Sequence, residues 1–170
     1  MKTHEIIEKN RNAIVLIDVQ IPGEGDQKKI SIRGTGFIMS EDGKFITNAH
    51  VYKQIPQNEL QYIGVSVPGK TDPVRGTHYD RFNVELLKID DENDIALMKI
   101  VNGKGFEVVQ GLGDSESVKE GEEVIYIGYP LATEMLAMGF GITMTTNRCI
   151  ISSVKKRASD GSLHFFLIDT

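Results

Sequence analysis

His50 follows the short apolar run Phe45-Ile46-Thr47, and Asp94 stands just before a second run, Ile95-Ala96-Leu97-Met98. An imidazole near neutral pH can take a proton from a hydroxyl and later hand it to a leaving group. For that it needs one defined tautomer, and a carboxylate on its other ring nitrogen both fixes the tautomer and steadies the imidazolium. A histidine and an aspartate at the rims of strands from different hairpins can meet at one edge of a barrel. Together they are two thirds of an acyl-transfer triad, with His50 as general base and Asp94 as its orienting group. Taken singly, His50 reads as a structural histidine and Asp94 as a turn aspartate; the two local contexts together favour chemistry. The remaining third, a nucleophile, is what this chain lacks.

The elements that must carry these groups are short strands. Residues 3–10 form an amphipathic helix with Thr3 as N-cap. Strands follow at 13–19 and 29–33, with Gly23-Glu24-Gly25-Asp26 turning the chain between them. Gly34-Thr35-Gly36 leads into Phe37-Ile38-Met39. Glu41-Asp42-Gly43-Lys44 marks a hairpin, for which Asp-Gly suits a type I′ turn. Its return strand is 45–47. The pattern is irregular beyond His50 until a strand at 61–67. Residues 68–83 are polar and rich in turn formers, which predicts a long surface loop. Strands at 84–89 and 95–100 bring the first half to about six, the count that hairpin spacing supports.

Residues 101–113 read as a crossover. A buried strand at 124–129 ends at Pro130, 132–141 carries methionines and glycines suited to core or loop packing, and strands follow at 143–154 and 164–168. The domain plan is therefore a helix over 1–12, a first barrel over 13–104, a linker over 105–121 and part of a second barrel over 122–170. Three strands cannot close a barrel, and they leave an edge open to pairing with another chain. The expectation is a polypeptide cut inside its second half.

Composition narrows the function. Hydrophobic residues make up 40 %, and Gly 17 against Pro 5 suits many tight turns. A net charge of −5 argues against non-specific binding to nucleic acid or to an anionic membrane. Lys155-Lys156-Arg157 reads as a solvated hairpin rim. Cys149 is the single cysteine, so no internal disulfide can form, and its apolar setting suggests a buried structural thiol. No apolar run is long enough to span a bilayer. Residues 1–10 hold no apolar leader, which points to the cytoplasm, or to the periplasm or outside if a leader was removed. His4, His50, His78 and His164 show no metal-ligand spacing. No metal or other cofactor is expected.

The two boxes and their surroundings resemble the trypsin-like serine peptidases, most closely the bacterial HtrA-type branch. Gly34-Thr35-Gly36-Phe37-Ile38 is similar to the strand packed beneath the family's catalytic histidine, and Thr47-Asn48-Ala49-His50-Val51 to its histidine box. Asn93-Asp94-Ile95-Ala96-Leu97-Met98-Lys99-Ile100 is similar to the aspartate box. Gly113-Asp114-Ser115, Gly121 and Ile127-Gly128-Tyr129-Pro130 resemble the link into the second barrel. Phe166-Leu167-Ile168-Asp169-Thr170 resembles the strand before the nucleophile turn, and Cys149 stands where relatives often carry glycine.

The resemblance implies an all-β fold: a trypsin-like double β-barrel, first barrel complete, second truncated, with a short N-terminal helix. It also implies a serine endopeptidase using His50 and Asp94, acting on polypeptides such as unfolded proteins, with self-association common among relatives. In the family the nucleophile lies in a Gly-x-Ser-Gly-like turn that also supplies the oxyanion donors. None occurs in the 170 residues, and Gly113-Asp114-Ser115-Glu116 and Gly161-Ser162-Leu163 lack the glycine after serine, so this chain is expected to be inactive. The alternative is a protease-like module that binds a peptide or a subunit without catalysis.

Overall fold

A computed structural model of the chain describes residues 2–25, 27–72, 76–156 and 158–169. Those parts of the sequence reading that fall on Asp26, on residues 73–75, on Arg157, on Thr170 and on the His164 side chain lie outside the described residues. Two compact units are present, one comprising Met1–Gln110 with Gly128–Thr145, the other Gly111–Ile127 with Thr146–Thr170.

The first unit is built on six antiparallel strands: β1 (Ile14–Pro22), β2 (Lys28–Ile38), β3 (Lys44–Asn48), β4 (Ile63–Asp72), β5 (Gly76–Asp90) and β6 (Ile95–Ile100). They hydrogen-bond in the order β1-β2-β3-β6-β5-β4 and close into a barrel, so the six-stranded expectation holds. Closure is made by β4 returning to β1, with Leu16 opposite Ser66 and Val19 opposite Ile63. Alternation fills the interior: Val15, Ile17 and Val19 of β1 meet Ile38, Phe45, Val65, Ala96, Met98 and Ile100 in one buried cluster. Each of these side chains other than Ala96 contributes about 1.5–3 kcal/mol relative to exposure.

The opposite face of β1 is buried too, and it carries a charge. Asp18 is 2 % exposed. It accepts from Arg81 Nε at 2.7 Å and from Ser66 Oγ at 2.9 Å, while Arg81 also donates to the Tyr62 carbonyl at 2.8 Å.

Four local expectations are corrected. Residues 68–72 and 76–83 are no loop: they belong to the paired strands β4 and β5, with Pro68 opposite Tyr79 and a register shift between Pro68 and Thr71. The period of two is present, with Thr77, Tyr79 and Arg81 half-buried and their neighbours Gly76, His78 and Asp80 exposed. An apolar alternation is absent from this stretch because the half-buried positions Thr77, Tyr79 and Arg81 are not aliphatic.

The β2–β3 turn is not type I′. Only Gly43 has a positive φ there, 87°, and its N–H bonds the Ser40 carbonyl at 2.8 Å. This is a type I turn followed by a left-handed glycine. Helix α1 (Thr3–Asn10) is capped at Lys2 rather than Thr3, and the Lys2 N–H donates to Glu5 Oε2 at 2.9 Å. Residues 51–53, expected to be irregular, lie in the five-residue helix α2 (Ala49–Lys53).

Residues 132–141 contain a further short helix, α3 (Ala132–Ala137), with Ala132 buried and Met138 and Phe140 exposed. The methionine-rich stretch is therefore largely outside the core. Tyr129, just before it, is buried. Its hydroxyl donates to the Ile14 carbonyl at 3.2 Å, and its backbone N–H donates to Thr35 Oγ1 at 3.1 Å.

In the second unit, β7 (Glu123–Gly128), β8 (Thr145–Lys156) and β9 (Leu163–Asp169) form a three-stranded sheet in that order. Cys149 and Ile151 are buried in β8. Gly121 and Glu122 bond the Ile151 backbone at 2.8 and 2.9 Å. Lys155 and Lys156 lie exposed at the end of β8. No helix among the described residues is long and apolar enough to cross a membrane.

Candidate active site

Strand β3 delivers the imidazole. Thr47, buried near its end, donates through Oγ1 to the Thr35 carbonyl at 2.9 Å. This bond locks β3 against β2 at the rim. Asn48 is still extended, with φ −72° and ψ 143°, and then the chain turns into α2. Ala49 and Val51 are buried and anchor the helix, while His50 between them faces outward. Gly34 of β2 lets α2 come this close, because a Cβ there would lie 2.9 Å from Val51 Cγ2.

Strand β6 positions the carboxylate. Asn48 pairs with Ile95, so the residue before Ile95 falls beside the start of α2. That residue is Asp94, which closes the β5–β6 turn with φ 54°. Left-handed backbone is uncommon for a non-glycine residue, although aspartate tolerates it better than most. The turn is shaped by Asn93, whose N–H and Nδ2 donate to the Asp90 carboxylate at 3.1 and 2.8 Å. Lys53 Nζ reaches Asp91 at 2.9 Å and ties α2 to the same turn.

The two groups meet: His50 Nδ1 lies 2.7 Å from Asp94 Oδ2. The other carboxylate oxygen accepts the His50 backbone N–H at 2.8 Å. The Asp94 carbonyl accepts the Ala49 N–H at 3.0 Å. Asn48 Nδ2 donates to Asp94 Oδ2 at 3.1 Å. The His50 backbone N–H, then the His50 ring, hold the Asp94 carboxyl below its ordinary value, and the Asn48 amide acts in the same direction.

An ionised carboxylate can only accept, so in the neutral imidazole Nδ1 carries the proton and Nε2 presents a lone pair. Among the described residues Nε2 has no hydrogen-bond partner. The side chains of His50 and Asp94 are 56 % and 45 % exposed, so the lone pair is open to solvent. The arrangement can abstract a proton from a hydroxyl brought to Nε2.

Of the residues singled out by sequence, His50 and Asp94 are brought together. No serine, threonine or cysteine side chain among the described residues bonds to His50. His78 is elsewhere, paired through Nε2 with Asp80 at 3.1 Å. No group of three His, Cys, Asp or Glu among the described residues could hold a metal ion. Asn48 is the residue that sequence reasoning passed over. The available signal was a side chain with an amide donor at the end of β3, two positions before the histidine.

Residues 34–170 match the family described as trypsin-like peptidase domain. The chain is 34 % identical over 138 residues to magnetosome formation protease MamE of Paramagnetospirillum magneticum, covering 81 % of this chain and 16 % of that protein. It is 33 % identical over 145 residues to serine protease HTRA1 of Xenopus laevis, covering 85 % and 28 %. To serine protease HTRA3 of Homo sapiens it is 34 % identical over 147 residues, covering 85 % and 30 %. The crystal structure of Deg5 superposes with a TM-score of 0.67 at 19 % identity, over 99 % of this chain and 75 % of that one, a likeness of fold. The chain spans less than a third of the length of these curated relatives.

Proposed function

The chain belongs to the trypsin-like peptidase domain family, on its HtrA-type branch, and from that premise we propose that it carries the proton-transfer half of a serine endopeptidase. In this reading His50 Nε2 takes the proton of a serine hydroxyl as its oxygen attacks the scissile carbonyl carbon. The imidazolium then gives that proton to the leaving amine, and an acyl-enzyme ester remains for water to cleave. Asp94 stays ionised throughout and holds the ring. The single observation that supports the reading is the two-point seating of Asp94 on His50, through Nδ1 at 2.7 Å and the backbone N–H at 2.8 Å.

A complete cycle also needs the hydroxyl and an oxyanion hole. The family supplies both from one Gly-x-Ser-Gly turn, which does not occur in these 170 residues. Loss of a triad serine costs about a millionfold in turnover, and an oxyanion donor about a hundred- to a thousandfold in its own context. The 170-residue polypeptide is therefore expected to leave a fluorogenic casein uncut. Turnover abolished by a serine-directed phosphonate would overturn that statement. The wider reading is tested in the coding sequence: a Gly-x-Ser-Gly turn soon after residue 170 supports the peptidase.

A stop codon there would favour the second reading, a non-catalytic module that binds a peptide or subunit. One observation speaks for it: among the described residues β9 pairs only with β8, and Phe165, Leu167 and Ile168 on it are exposed. Substrates in the first reading are polypeptides, unfolded ones among them.

A further inference from the structure

Asp94 is held by three consecutive residues, and the first of them has no assigned part in the chemistry. Asn48 Nδ2 donates to Asp94 Oδ2 at 3.1 Å and reaches the Asp94 carbonyl at 3.4 Å. Only the NH2 end of an amide can donate to a carboxylate and a carbonyl, so these partners fix which way the amide points. The oxygen it touches is the one that accepts His50 Nδ1. One amide therefore spans the main chain and the side chain of Asp94, and restrains the torsion between them.

The remaining hold on the carboxylate comes from His50 itself, through its ring and its backbone N–H. The left-handed backbone of Asp94 makes this restraint more valuable, because the turn is not at its own conformational minimum. Other charged groups on α2 and the β5–β6 turn are engaged elsewhere: Lys53 with Asp91, and Asp90 with Asn93. Glu92, on the same turn, also has an interaction partner.

We infer that Asn48 is a positioning residue, whose amide holds Asp94 Oδ2 against His50 Nδ1 and so keeps Nε2 the basic nitrogen. The inference rests on the reading of His50 as general base. It assigns Asn48 no contact with substrate. Its effect passes through Asp94 to the imidazole, and the ring's tautomer and exchange rate report it.

The test is proton–nitrogen NMR of the His50 ring in the 170-residue chain, with Asn48→Ala and the near-isosteric, uncharged Asn48→Leu. Asn48 is exposed, so neither variant opens a cavity, and Leu decides if Ala fails to fold. The parent ring is expected to show Nδ1 protonated. In both variants Nδ1–H exchange with water should rise about tenfold or more, the factor for losing a hydrogen bond to a charged group. The Nδ1–H tautomer fraction should fall with it. Ring shifts and exchange indistinguishable from the parent would overturn the inference, even if the thermal midpoint dropped, since that would mark a structural role only. Turnover is not read. A parent ring without the Nδ1 proton would sink the general-base reading itself, whereas a parent ring as drawn with unaltered variants sinks only the part given to Asn48.

Discussion

The proposed chemistry rests on one carboxylate that must stay ionised. Asp94 has its pKa lowered by the His50 backbone N–H, the His50 ring and Asn48. A group depressed in the folded state adds stability above its unfolded pKa, about 3.9 for aspartate, and that contribution disappears as pH falls through the lower folded value. The His50–Asp94 contact should therefore persist into acid below the ordinary carboxylate range. Carbon NMR of the Asp94 carboxyl is the check, and a midpoint at or above the value of a free aspartate would contradict the geometry. Tyr129 behaves in the opposite sense. Burial, helped by the neighbouring Tyr79, pushes its phenol above the usual tyrosine range, and burial raises Tyr79 as well. The neutral forms are favoured by folding, so their contribution is intact below about pH 10 and is lost as pH rises. Ultraviolet titration should show two of the five tyrosines ionising late, together with unfolding.

At the scale of elements, one charged contact ties β1, β4 and β5 together. Arg81, with its side chain 25 % exposed, neutralises Asp18, whose own is 3 % exposed. Arg81→Ala leaves a carboxylate buried with only Ser66 beside it, and should cost about 3–5 kcal/mol, as breaking one partner of a buried pair does. Urea denaturation would read this directly. The double variant Asp18→Asn, Arg81→Met should be markedly less damaged, because no charge is then stranded. This pair was also what sequence reading could not see. Asp18 lies in a run of buried apolar residues and Arg81 in a stretch that read as a polar loop. Each makes sense only once β4 and β5 are known to be paired strands. The histidine and aspartate boxes were legible because each combines a strand-end residue with an aliphatic alternation of its own. Helix α2 was not, since five residues are too few to display a 3.6-residue period. Asn48 was hidden for another reason: its partners, an oxygen and a carbonyl of Asp94, come from a turn distant in sequence.

The two units differ in how their strands are paired. Among the described residues, every strand of the first unit's barrel has two neighbours. In the second, β7 and β9 each have one neighbour within the three-stranded sheet. Open edges with exposed apolar side chains such as Tyr126, Phe165 and Leu167 are templates for pairing with another chain. Concentration-dependent self-association of the 170-residue polypeptide is the expected outcome in light scattering. A clean monomer at high concentration would contradict it, and a Lys placed at Leu167 should reduce association if the β9 edge is responsible.

The ring order has one more consequence. Strand β3 sits between β2 and β6, and β6 is the last of the six in chain order. That same strand begins one residue after Asp94. Without β6 the cylinder would have a gap between β3 and β5, and the turn that holds Asp94 would lose the strand it leads into. The wall of the barrel and the seating of the Asp94 carboxylate on His50 thus rest on the same strand.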